Sequence, residues 1–199
     1  YKRQALRAAL ASAALAAAIL GLGPTPARAA APFFEALSPN PLLAIDVGSG
    51  SATAAADLDR DGDPDLVVGR SDGGMSWLAN TGTRIAPAFT ELTGAANPLD
   101  GVGLGGYAVP AFGDLDADGD LDLVAGRTVL GTGSLAFFEN TGSADAPVFV
   151  ERTGAANPFD GFTANGSAAP TLADLDGDGD LDVAVGSSLD GVAWLENTG

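Results

Sequence analysis

Three nine-residue stretches, Asp57–Asp65, Asp114–Asp122 and Asp174–Asp182, each place an aspartate at every odd position and a glycine at the sixth. Carboxylates alternating around a glycine are how a short loop surrounds a hard cation with oxygen. Without a cation, five like charges in nine residues repel one another strongly. A divalent ion in each loop, calcium by its preference for many oxygen ligands, is the simplest reason to keep three copies, so about one ion per repeat and three in total are expected. By the ligand logic of short calcium loops, the first, third and fifth aspartates supply side-chain oxygens: Asp57, Asp59 and Asp61; Asp114, Asp116 and Asp118; Asp174, Asp176 and Asp178. The seventh residues, Asp63, Asp120 and Asp180, offer a backbone carbonyl, and the ninth, Asp65, Asp122 and Asp182, a further carboxylate. Gly62, Gly119 and Gly179 stand where the loop turns sharply. Leu58, Leu115 and Leu175, alternating with the ligands, are expected to point into the core.

The elements that hold these loops are strands. Short alternating and β-branched apolar runs flank each loop, and helical periodicity is absent beyond the first thirty residues. An Asp loop between strands is a hairpin connection. That separates it from an EF-hand, which sits between helices and closes its shell with a carboxylate at the twelfth position; here the twelfth residues are Val68, Ala125 and Val185. The repeat extends well past the loop. Ahead of the second and third loops lie Ala86–Gly101 and Ala146–Gly161, matched almost residue for residue, with a degraded copy in Ala31–Leu37 followed by Asn40-Pro41. Behind the loops come Asn80-Thr-Gly82, Asn140-Thr-Gly142 and Asn197-Thr-Gly199. Each unit yields four strands, which in the third are Ala168–Ala173, Leu181–Gly186, Gly191–Glu196 and Pro147–Arg152.

Four strands in a repeat of nearly sixty residues is the unit of a β-propeller blade. The pattern Asp-x-Asp-x-Asp-Gly-x-x-Asp, with Phe112-Gly113 and the Ala-Val-Pro or Ala-Ala-Pro before it, resembles the FG-GAP/VCBS repeat family, which includes integrin α-subunit propellers and many secreted bacterial proteins. The resemblance covers about residues 31–199. It implies a calcium-stabilised propeller used for adhesion or protein contacts. The expected fold is therefore all-β: three blades of four antiparallel strands, over approximately residues 30–82, 83–142 and 143–199. The opening Pro32–Leu37 strand is in phase to complete a last blade. Propellers usually have four to eight blades, so three imply a fragment of a larger propeller, an open arc, or self-association of copies of the chain.

Composition narrows the function. The chain of 199 residues carries a formal charge of -17 with only nine Lys and Arg, which argues against nucleic acid as a partner. It has no Cys and no His, excluding disulfides, Cys/His zinc sites and histidine acid–base catalysis. Basic Lys2, Arg3 and Arg7, the apolar run Ala8–Leu22 and the small-x-small Ala27-Arg28-Ala29 read as a secretory signal over residues 1–29. The apolar run is shorter than a bilayer span, so no membrane span is expected after cleavage, and the location is secreted or cell surface. The carboxylates outside the loops recur with the repeat and form no singular cluster, so the chain is expected not to be an enzyme. The reading is a secreted calcium-binding scaffold for adhesion to an extracellular protein or carbohydrate. The alternative is a substrate-binding part of a larger secreted polysaccharide-degrading enzyme. Trp77, Phe137 and Trp194 recur once per unit, as inter-blade core or as a carbohydrate platform. Asn165-Gly-Ser167 fits a glycosylation acceptor or a turn.

Overall fold

The structure, a computed structural model, describes residues 40–50 and 52–199. The expected signal segment and the Pro32–Leu37 strand lie outside the described residues. Within them the chain is strand and turn, with two three-residue 3-10 turns at Gly94–Ala96 and Gly154–Ala156. No helix among the described residues is long and apolar enough to cross a membrane.

Among the described residues, twelve strands form three antiparallel sheets. The first is β1 (Ala52–Ala56), β2 (Asp65–Gly69), β3 (Met75–Asn80) and β4 (Phe89–Leu92), paired in that order. The second is β5 (Tyr107–Gly113), β6 (Asp122–Val129), β7 (Thr132–Asn140) and β8 (Phe149–Arg152), with the two-residue β9 (Ala164–Asn165) against the start of β7. The third is β10 (Ala168–Ala173), β11 (Asp182–Ser187) and β12 (Gly191–Leu195). Each acidic loop connects the first two strands of its sheet, as a blade requires.

The sheets are offset from the sequence repeats. The segment Pro147–Arg152, assigned from sequence to the third unit, contributes β8 to the second sheet, with Phe149 opposite Asn140 and Arg152 opposite Phe137. The Pro-x-Phe strand that opens one repeat thus finishes the sheet before it. Loop closure explains the choice: β8 is far nearer in sequence to β7 than to β10, so the shorter connection has the smaller entropic cost. Among the described residues the third sheet has three strands and no counterpart of β4 or β8.

Two apolar layers lie between the sheets. Val67, Met75 and Trp77 of the first sheet meet Leu123, Ala125 and Phe138 of the second, with Leu99 and Leu104 from the connecting segment inserted between them. Val124, Leu135 and Phe137 meet Ala168, Val183 and Val185 of the third, and Phe159 and Phe162 occupy the connecting segment there. The recurring aromatic is therefore core where a next sheet follows: Trp77 is 5 % exposed, whereas Trp194 on the third sheet is 54 % exposed. Leu58 is buried as expected and Leu115 packs against the second layer, but Leu175 is exposed because no following sheet covers it among the described residues.

Close packing between sheets depends on two glycines. A Cβ on Gly69 would collide with the Ala108 carbonyl, and one on Gly126 with the Ala168 carbonyl and with Pro170 Cδ at 2.8 Å. The equivalent Gly186 has nothing nearer than the Ala169 carbonyl at 3.7 Å. Gly126→Ala should therefore destabilise the chain by about 1–3 kcal/mol through overpacking, while Gly186→Ala should leave its stability nearly unchanged; thermal melts of the dilute proteins compare the two.

Candidate metal centres

Each acidic loop is shaped by its own carboxylates. In the first, Asp57 Oδ2 accepts from the Gly62 amide at 3.1 Å; Gly119 to Asp114 at 3.0 Å and Gly179 to Asp174 at 3.2 Å repeat this. The amides of Asp61, Asp118 and Asp178 donate to the carboxylates of Asp59, Asp116 and Asp176. The amides of Asp63, Asp120 and Asp180 donate to Asp61, Asp118 and Asp178 at 2.9, 3.0 and 3.0 Å. The sixth-position glycines carry φ of 95°, 97° and 104°, the left-handed region expected at the sharp turn. The fourth position is left-handed too, at Arg60 (φ 55°), Ala117 (φ 60°) and Gly177 (φ 84°). Gly177 was the only sequence signal of that second turn.

The structure gathers the first, third and fifth aspartates. In each trio, Asp57, Asp59 and Asp61, Asp114, Asp116 and Asp118, and Asp174, Asp176 and Asp178, one carboxylate oxygen per residue lies within 4.8 Å of the other two. Three such trios are geometrically able to hold a metal ion. Asp57 Oδ1 and Asp114 Oδ1 are buried and accept no hydrogen bond, as does Asp120 Oδ1. A buried anionic oxygen without a partner is costly, and a cation among the trio is the chemistry that would satisfy it, so the donor set fits a hard, oxygen-preferring ion.

The ninth aspartates stand apart and have a second task that sequence reasoning missed. Asp65, Asp122 and Asp182 are buried, each held at both oxygens. One oxygen accepts from the amide of the loop leucine: Leu58 at 3.3 Å, Leu115 at 3.2 Å, Leu175 at 3.1 Å. The other accepts from an amide at the end of the third strand: Asn80 at 2.7 Å, Asn140 at 2.9 Å, Asn197 at 2.8 Å. The same asparagines then hold the sheet's outer turn. Asn80 Oδ1 accepts from Gly82 and Ala88, and Asn140 Oδ1 from Gly142 and Val148. The Asn-Thr-Gly elements, read as turn chemistry, thereby connect loop to outermost strand. Asp122→Ala would leave two buried amides unpaired, each worth about 1–3 kcal/mol; a drop in chemical-denaturation stability of that order is expected, with calcium unable to restore it.

Between the first two loops, Arg60 Nη2 donates to the Gly119 carbonyl. Asn165, the glycosylation-pattern residue, is not a turn residue but ends β9, and its amide and side-chain nitrogen both donate to the distant Asp190, at 2.6 and 2.8 Å.

Burial pushes the Asp122 carboxyl up to about 6, and raises Asp65 as well. Asp116 and Asp120 are raised by desolvation and then by neighbouring loop carboxylates. Asp182 is just as inaccessible to water, yet the third sheet has less protein around it, and the Asn197 amide lowers it. An Asp whose folded value exceeds its unfolded one holds a proton in the native state that unfolding releases. Its charge therefore adds no stability above the folded value, and stability falls as pH rises from about 4 to about 6. The chelated protein should accordingly melt at a higher temperature at pH 5 than at pH 7, measurable by calorimetry.

Three blade-like antiparallel sheets, each with an Asp-rich hairpin loop, define a β-repeat protein. Residues 57–125, spanning the first two acidic loops, match the family model of an FG-GAP-like repeat. No curated protein matches the chain.

Proposed function

We propose that the protein is a secreted calcium-binding scaffold whose rigid sheets mediate adhesion to an extracellular protein or carbohydrate, without catalysis of its own. The observation that carries the metal reading is the buried, unpartnered oxygen that Asp57 and Asp114 each carry as members of trios of converging carboxylates. Calcium suits these sites because every donor on offer is oxygen and the loops, built from turns, tolerate its flexible coordination. Asp57, Asp59, Asp61 and their equivalents would hold the ion. Asp65, Asp122 and Asp182 anchor the loop and complete the acidic surroundings. A bound ion supplies positive charge that offsets the repulsion within each loop, so the ion-loaded sheets are stiffer platforms for contact. The signal-like residues 1–29 support export, and extracellular calcium is abundant enough for loops of modest affinity.

Isothermal titration with calcium should report three ions per chain, falling to two in Asp116→Asn. Calcium should also raise the melting temperature at pH 7, since a ligand that binds only the folded state stabilises it by about 2.7 kcal/mol at one hundred times its dissociation constant. A melting temperature indifferent to calcium and chelator would overturn the reading.

A further inference from the structure

We infer that Arg60, although it belongs to the first acidic loop, is a positioning residue of the second metal centre, where it steadies the ligand Asp118 through a single peptide group. The inference rests on the calcium reading above and adds a residue to it. Arg60 Nη2 donates to the Gly119 carbonyl. The other end of that same peptide, the Asp120 amide, donates to Asp118 Oδ1 at 3.0 Å. A cation on the carbonyl and a carboxylate on the amide polarise one peptide in the same sense, so each hydrogen bond strengthens the other.

Turn geometry does not explain an arginine at this place. The backbone of Arg60 is left-handed, at φ 55°, where a side chain is disfavoured. The third loop makes the same turn with Gly177, which has no such penalty. What the arginine adds is reach: its side chain meets a residue 59 positions further along the chain. The second sheet receives it among acidic groups. Asp120, raised by desolvation and by Asp118, Asp116 and Asp114, is drawn back down by the Arg60 charge. Asp145, in the turn after β7, is lowered first by the Ser143 hydroxyl and more weakly by Arg60.

Asp118 is the ligand that gains most from such support. It is exposed, whereas Asp114 in the same trio is half-buried and accepts from the Gly119 amide at 3.0 Å. An exposed carboxylate loses rotamer freedom when it binds an ion, and a group that restricts it beforehand reduces that loss. The guanidinium also repels a cation, but Arg60 is exposed and salt screens its charge within about 8 Å at physiological ionic strength. Positioning therefore outweighs repulsion. The third loop is the internal comparison. Asp178 accepts from the Asp180 amide at 3.0 Å, as Asp118 does from Asp120. The fourth position of the second loop is Ala117, so no guanidinium extends from there to the Gly179 carbonyl.

Isothermal titration with calcium tests this in full chains where a single centre loads. Asp57→Asn with Asp174→Asn leaves the second centre, and Asp57→Asn with Asp116→Asn leaves the third; asparagine keeps a side-chain oxygen to accept the loop amides. Arg60→Ala should raise the dissociation constant of the second centre about three- to tenfold. Arg60→Lys, which keeps a charged donor, should restore most of the affinity, and the third centre should not change. In calcium-free protein, Arg60→Ala should move the Asp120 amide proton upfield in nitrogen–proton correlation spectra while the Asp180 amide stays in place, a signature that a general loss of stability does not give. Circular dichroism confirms that each variant folds. A second centre that binds as well or more tightly without Arg60, or a third centre that weakens as much as the second, would overturn this proposal alone. No calcium binding by the unsubstituted chain would overturn the calcium reading and this proposal with it.

Discussion

The two-ended hold of the ninth loop aspartate is the interaction on which the rest depends. Asp65, Asp122 and Asp182 each accept one amide from the start of the acidic loop and one from the end of the third strand. A carboxylate buried in this way needs both partners, because either amide left alone would be an unsatisfied buried donor. The loop therefore cannot open without disturbing the strand two positions across the sheet. Through Asn80 and Asn140 the constraint continues into the turn before the outermost strand. Ion site, sheet register and sheet edge are consequently one connected polar system in each repeat.

That system explains why the loops can be so acidic. The aspartates are not free to swing apart: successive amides within the loop pin each carboxylate to the next residues. Convergence is enforced by backbone geometry, with two left-handed residues per loop, and the repulsion it creates is what a divalent ion would relieve. The upward displacement of Asp116, Asp120 and Asp122 is the same repulsion and burial seen from the protons' side.

Much of this was legible in the residues. The loops, their hairpin setting and the sixth-position glycines followed from spacing alone, because the ligand pattern and the strand period are both local. Which sheet owned the Pro-x-Phe strand was not legible: Phe149 belongs to the third repeat by sequence but to the second sheet by pairing, and pairing is decided by chain closure and the Asn140 turn. Nor could sequence distinguish Trp77 from Trp194, equivalent residues whose burial differs because, among the described residues, a following sheet packs against Trp77 alone. The anchoring role of the ninth aspartates was hidden for a similar reason: its partner amides lie on backbone, which every residue supplies and no side chain advertises.

The guanidinium of Arg60, reaching from the first acidic loop to the Gly119 carbonyl of the second, gives the array a polarity that its repeats conceal. In the second loop the same position is Ala117, so no cationic arm crosses from there to the third. The positive charge of Arg60 therefore sits between the first two acidic loops, where it holds Asp120 a little lower than its neighbouring carboxylates would, and the third loop has no such cation at the equivalent of that position.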